Sequence, residues 1–264
     1  MHQETCAVVE NRPVAPGHFV LKMRSPRIAK HAKPGQFVQV LCSNTDYPLL
    51  PRPFSFLTAD SKDFSILYHV VGDGTRLLQK AKKGDILRVI GPLGNGFDEQ
   101  SRTTRLLVGG GVGIPPLFHL TQVLLKNGIS KDQIHVFLGA RNKLLLLCET
   151  DFKKLGVHLH LATDDGSKGT KGFVTRILED FLMQKKNSVK ISTCGPTPML
   201  KAVSNVAERY ETPCEVSVEV PMACGFGACL GCAMTVQDAK SESGVRYAVA
   251  CMEGPVFCGK DIVW

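Results

Sequence analysis

The sequence predicts an α/β plus β protein. It should hold an N-terminal antiparallel β-barrel, a parallel-sheet α/β domain and a small C-terminal β domain. Three observations carry this. Short strand-like runs cut by Pro and Gly fill the first hundred residues. Strand and helix patterns alternate from about residue 102. Four cysteines then crowd a glycine-rich loop near the C-terminus. The expected boundaries are 1–101, 102–212 and 213–264.

In chain order, the runs 37–41, 54–57, 64–70 and 86–90 are short and rich in β-branched and aromatic residues. Lys33-Pro34-Gly35, Lys83-Gly84-Asp85 and the stretch from Gly91 to Gly96 punctuate them. That spacing predicts an antiparallel barrel, with one short helix over 75–81. Leu106-Leu107-Val108 then reads as a buried strand, followed by Gly109-Gly110-Gly111 and a helix to about Lys126. Further strands are expected over 134–138, 157–162 and 189–193, and helices over 144–155, 173–184 and 198–209. Such alternation predicts a parallel sheet. Beyond Pro213 come a strand over 215–220, the cysteine loop, and a β unit around 232–236 and 247–250. The intervening 237–244 reads as an exposed polar insertion.

Apolar residues make up 44% and charged residues 21% of the 264, an ordinary balance for a folded globular chain. The formal net charge of +8 raises nucleic acid as a partner. Lys and Arg are scattered, however, and the densest knot is only Lys80, Lys82 and Lys83, so no nucleic-acid role is expected. No apolar run approaches the ~20 residues that span a bilayer, so no membrane role is expected either. Ten cysteines without a signal peptide point to a reducing, cytoplasmic setting rather than to disulfides. Cys6, Cys42, Cys148, Cys194, Cys214 and Cys258 lie outside the loop and read mostly as small buried apolar residues.

The loop cysteines are Cys224, Cys229, Cys232 and Cys251, spaced C-x4-C-x2-C, then eighteen residues, then C. This is the plant-type [2Fe–2S] ligand pattern. Two bridged irons need four thiolates, three of them from one tight loop. Gly225, Gly227 and Gly231 let that backbone approach closely. A structural zinc site is the alternative, but zinc folds usually present paired C-x2-C knuckles. Cys258 lies near enough to compete with Cys251 as the fourth ligand.

Three further motifs suit nucleotides. Gly109-Gly110-Gly111-Val112-Gly113-Ile114-Pro115-Pro116 follows a strand and opens a helix, where N–H groups can meet a pyrophosphate. It is not the G-x-G-x-x-G fingerprint, and a plain strand-to-helix turn is the simpler alternative. Cys194-Gly195-Pro196-Thr197 ends the last parallel strand, where a nicotinamide could sit; otherwise it is a turn with Thr197 as helix N-cap. Arg52-Pro53-Phe54-Ser55 offers a phosphate partner and a hydroxyl for a flavin ring, and Gly72-Asp73-Gly74-Thr75 opens a second helix.

The order of these motifs resembles the ferredoxin reductase family of FAD/NAD(P) proteins. Within it, the chain is similar to the electron-transfer subunits of NAD-dependent dihydroorotate dehydrogenases. Gly91-Pro92-Leu93-Gly94-Asn95-Gly96-Phe97 and Gly254-Pro255-Val256-Phe257 add to the likeness, which covers nearly the whole chain. The resemblance implies FAD, a [2Fe–2S] cluster and NAD as cofactors. FAD would be held by Arg52, Pro53, Phe54, Ser55, Tyr68, His69, Val70, Gly74 and Thr75. NAD would lie on Gly109, Gly110, Gly111, Gly113, Cys194, Gly195 and Pro196. It also implies an FMN-containing dihydroorotate dehydrogenase catalytic subunit as partner, in a heterotetramer. No residue of this chain is then expected to act on dihydroorotate itself. A ferredoxin-type or hydrogenase-linked reductase subunit would share these motifs and differ in its partner. A metal-dependent sensor or binding module without turnover is the non-enzymatic alternative.

Overall fold

The computed structural model describes every residue except 44, 46, 186 and 187. The barrel strands are β1 (His2–Ala15), β2 (His18–Arg24), β3 (Phe37–Leu41), β4 (Arg52–Ala59), β5 (Asp63–His69) and β6 (Ile86–Leu93). Helix α1 (Pro26–Ala29) follows β2, and α2 (Asp73–Lys80) follows β5. The barrel closes in the order β1-β2-β5-β4-β3-β6, antiparallel throughout. Closure removes the exposed edges that an open sheet would carry. Side chains alternate along each strand. Val38 and Val40 therefore enter the barrel core with Phe56, Ile66 and Tyr68. Phe37, of opposite parity, joins a different core outside the barrel. The β1–β2 hairpin carries no single clear signal in the sequence. Its polar alternation is broken by register shifts between Val8 and Glu10 and between Pro13 and Ala15.

The second sheet comprises β7 (Thr104–Gly110), β8 (Ile134–Ala140), β9 (His158–Thr163), β10 (Thr170–Lys171), β11 (Val189–Cys194), β12 (Cys214–Ser217) and, near the C-terminus, Val256–Cys258. Between them run α3 (Ile114–Lys126), α4 (Glu149–Leu155), α5 (Val174–Gln184) and α6 (Thr197–Arg209). The remaining elements are the hairpin β13 (Ala233–Gln237) and β14 (Val245–Val249), then α7 (Ala250–Glu253) and β15, the strand Val256–Cys258. The sheet order is β10-β9-β8-β7-β11-β12-β15, parallel except for β15. The chain runs outward one way from β7 and the other way from β11. A switch point for ligands thus opens at the carboxyl ends of these two neighbours.

Three cores hold the molecule. One fills the barrel. A second, under α3 and α4, includes Val20, Leu57 and Leu67 of the barrel, so α3 wedges between sheet and barrel. The third lies under α5 and α6 and takes in Phe37, Cys232, Ala250 and Cys251. The cysteine region is therefore packed against both other parts. Among the described residues no helix is long and apolar enough to cross a membrane.

Three local expectations are corrected. The helix over 144–155 is instead a 3-10 turn at Lys143–Leu145 followed by α4. Cys148 breaks it with φ of +58°, and the buried Leu146 and Leu147 pin the leucine run against the core. The strand over 215–220 stops at Ser217, where its pairing with Val256 of β15 ends. Thr197 is the first helical residue of α6, and Pro196 occupies the cap position.

Candidate functional site at the junction of barrel, sheet and cysteine loop

A cleft of about 530 Å³ opens between barrel and sheet, within the size range of cofactor sites. Its barrel wall holds Arg52, Pro53, Phe54 and Ser55 of β4, together with Tyr68, His69, Gly74 and Thr75. Its other wall holds Val112, Pro115 and Cys194. Arg52 is fixed at the lip: Nη1 donates to the carbonyls of Leu50 at 2.8 Å and Pro51 at 3.3 Å. A side chain at Gly74 would come within 3.3 Å of Arg52 Nε, so the start of α2 lies directly beneath the guanidinium. Arg52 and the start of α2 therefore line the same cleft side by side, a pairing of cation and helix N-terminus that suits a phosphate. The Thr75 hydroxyl is engaged already. It accepts from the N–H groups of Val71 and Gly72 and donates to the Gly72 carbonyl, shaping the helix start. Tyr68 donates to Asn11 from inside the barrel wall. His69 is exposed and stacks on His18 with ring centroids 4.3 Å apart. Val70 turns toward the barrel core instead of the cleft.

The glycine loop and the Cys194 loop lie side by side, since Cys194 pairs in register with Gly109. A Cβ on Gly113 would sit 2.4 Å from the backbone of both Cys194 and Gly195. One on Gly195 would meet the Gly110 carbonyl oxygen at 3.1 Å. Glycine here lets α3 start against the end of β11. Gly109, Gly110, Gly111, Gly113, Gly195 and Pro196 border the cleft through Val112, Pro115 and Cys194 rather than lining it themselves. Burial pushes the Cys194 thiol up, and the Glu219 carboxylate adds to this, so Cys194 is a neutral thiol.

The four loop cysteines meet in two pairs. Cys229 N–H donates to Cys224 Sγ at 3.4 Å, and Cys251 N–H donates to Cys232 Sγ at 3.4 Å. Gly227 N–H donates to Cys251 Sγ at 3.1 Å, which ties the pairs together. Among the described residues no three ligating side chains converge on a single point as one metal ion requires. Thiols gathered on one glycine-rich loop and accepting from its backbone N–H groups are the donor type that an iron–sulfur cluster takes. Burial raises the Cys224 thiol, but N–H groups of Phe226, Cys229 and Ala228 outweigh it and bring the thiol down to about 6. Burial and the Cys232 thiol push Cys251 up to about 12. Cys258 is exposed on β15, paired with Glu215 in the α/β sheet, so Cys251 and not Cys258 reaches the loop.

Comparison with known proteins gives two family matches. Residues 219–263 match the iron–sulfur cluster binding domain of dihydroorotate dehydrogenase B. Residues 107–205 match the oxidoreductase NAD-binding domain. The dihydroorotate dehydrogenase B (NAD(+)) electron transfer subunit of Desulforamulus reducens is 39% identical, over 95% of this chain and 94% of its own length. That of Fusobacterium nucleatum is 37% identical, over 99% of both chains. The chain belongs to this family of dihydroorotate dehydrogenase B electron transfer subunits. Among solved structures, one described as the NADH-dependent reduced ferredoxin-NADP oxidoreductase superposes with TM-score 0.85 and 32% identity, covering 99% of this chain and 90% of that one. The cytochrome b5 reductase domain of Ulva prolifera nitrate reductase shares the fold of barrel and sheet, with TM-score 0.65 over 80% of this chain and 93% of that one.

In this family member the cleft also holds residues that sequence reasoning passed over. Phe37, Ser217, Glu219 and Met222 also line it. Glu219 opens onto the cleft, yet the surrounding protein desolvates its carboxyl enough to raise it. Its signal was present: it is the one acid in Val218-Glu219-Val220-Pro221, directly before the cysteine loop.

Proposed function

We propose that this chain carries electrons between a partner flavoenzyme and NAD. The partner would be an FMN-containing subunit that oxidises dihydroorotate to orotate in pyrimidine biosynthesis, assembled with this chain as a heterotetramer in the cytoplasm. The observation that carries the reading is spatial. The paired cysteines, the Arg52–Ser55 strand and the switch point of the sheet converge at one junction. Bound FAD would supply two-electron exchange with nicotinamide and one-electron exchange with a [2Fe–2S] cluster. The chain's own residues do the placing. Arg52 and the start of α2 hold phosphate, and Ser55 offers its hydroxyl to the flavin ring. The glycine loop and the start of α3 take the dinucleotide's pyrophosphate. Cys194 and Glu219 stand where the nicotinamide would meet the flavin; burial holds the Cys194 thiol up and raises the Glu219 carboxyl. Cys224 with Cys229, and Cys232 with Cys251, would each hold one iron.

A second reading has support from the 32% identity to the NADH-dependent reduced ferredoxin-NADP oxidoreductase structure, in which a ferredoxin-linked partner would replace the FMN subunit. Co-expression with candidate partners separates the two. The first reading expects a brown complex with FAD, FMN, iron and acid-labile sulfide that reduces NAD with dihydroorotate. Stoichiometric zinc without sulfide would overturn the cluster. Turnover with ferredoxin but not dihydroorotate would establish the second reading.

A further inference from the structure

Gln39 lies in the middle of β3, fully buried, and both ends of its carboxamide lack a hydrogen-bond partner. Buried polar groups in folded proteins are almost always paired, because leaving them unpaired is costly. An unpaired amide at this depth needs a partner, and its surroundings indicate which. Val38 and Val40 fill the barrel, whereas Phe37 joins the core that contains Cys232 and Cys251. Gln39 has the parity of Phe37 and leaves the barrel on the same side. A Cβ on Gly225 would fall 2.6 Å from Gln39 Cγ and 2.7 Å from its Nε2. The carboxamide is therefore pressed against the backbone one residue beyond Cys224. On β4 the register partner of Gln39 is Pro53, within the Arg52–Ser55 strand. One uncharged polar side chain thus touches the cysteine loop from the strand next to the flavin strand.

We propose that the Gln39 carboxamide faces the iron–sulfur cluster, donating an Nε2 N–H to sulfur on the Cys224 side and raising the cluster's reduction potential. This rests on the cluster assignment above. Reduction adds negative charge to the cluster, and a donor aimed at sulfur stabilises that charge. The effect is strengthened by the low local dielectric around a fully buried side chain. Gly225, with φ of +81°, leaves the space the carboxamide occupies.

The test is a redox titration of the FAD- and cluster-loaded protein, following cluster and flavin separately by electron paramagnetic resonance and visible absorbance. Gln39→Leu keeps the bulk and removes the donor. At a fixed ambient potential the ratio of reduced to oxidised cluster should fall about tenfold, a midpoint lowered by about 59 mV for a one-electron couple. The flavin midpoint should stay in place. Gln39→Met, which also removes the donor and keeps the length without adding a charge, should lower the cluster midpoint as well, and it decides the matter if Gln39→Leu fails to load cofactors. An unmoved cluster midpoint would overturn the proposal and leave Gln39 bonded to a buried water. Equal shifts of both midpoints would overturn it too, as a general distortion of the barrel. Wild-type protein without acid-labile sulfide would instead defeat the cluster assignment itself.

Discussion

Arg52 has the most direct single-residue consequence. Its guanidinium is held at the lip of the cleft by two backbone carbonyls and stands over the start of α2. A charged hydrogen bond to phosphate is worth about 1.5–3 kcal/mol. Arg52→Ala should therefore weaken FAD binding by roughly one to two decades with little change in the unfolding midpoint of the apoprotein. Flavin content after dialysis measures this, and unchanged content would make Arg52 a surface residue only. His119 gives a second consequence. It is buried on α3 with Nδ1 unpartnered, and burial lowers it from 6.5 to about 4. The unfolded chain then binds the extra proton first, so this part of the stability is complete above pH 6.5 and is lost as pH falls toward 4. By pH 5 the loss from this residue is roughly 2 kcal/mol. Urea unfolding at pH 7.5 and pH 5 should show a smaller acid loss in His119→Leu than in wild type; equal losses would count against the assignment. Arg52 and the cysteines were legible in the sequence because their chemistry is rare and their spacing local. Gln39 was not, because what distinguishes it is burial against a segment 186 positions away, at Gly225.

Helix α3 depends on its first turn in a way that can be tested at Gly113. Its φ of −81° is ordinary, so backbone strain is not the issue. The constraint is the 2.4 Å approach of any Cβ to the backbone of Cys194 and Gly195. Gly113→Ala must push the start of α3 away from the end of β11, and overpacking of this kind costs about 1–3 kcal/mol. If that cost falls on the dinucleotide-bound form, flavin reduction should then need about five- to a hundredfold more NADH, while FAD content is retained. Unchanged NADH dependence would show that the dinucleotide does not use this loop. The elements themselves were mostly readable. The β-branched runs of the barrel and the alternation after residue 102 each follow from local period and punctuation. The helix over 144–155 failed because the leucine run is a good helix former only until Leu146 and Leu147 are claimed by the core. The β1–β2 hairpin was indistinct because bulges break its alternation.

The three parts share cores, and this decides how electrons can travel. Phe37 of the barrel, Val108 of the sheet and Cys251 of the cysteine region belong to one apolar cluster, so the parts are held as one packed junction. The motif order along the chain made the composition of this junction readable. Its geometry was not readable, since nothing local tells Cys251 from Cys258. The backbone N–H of Gly227 makes that distinction in the folded chain. If electrons enter and leave the flavin by different doors, the doors can be closed separately. On the proposed function, hydride exchange would need the cleft, and exchange with the partner would need the side of the loop where Cys229 is exposed. Cys229→Ser replaces a soft thiolate by a hard oxygen ligand that suits such iron poorly. The decisive measurement is made on the intact two-subunit complex of this variant, with assembly checked by size exclusion. NADH should still bleach the FAD at the wild-type rate, while dihydroorotate-driven reduction of NAD collapses. Full NAD-linked turnover in an intact complex that lacks the cluster would contradict the electron path.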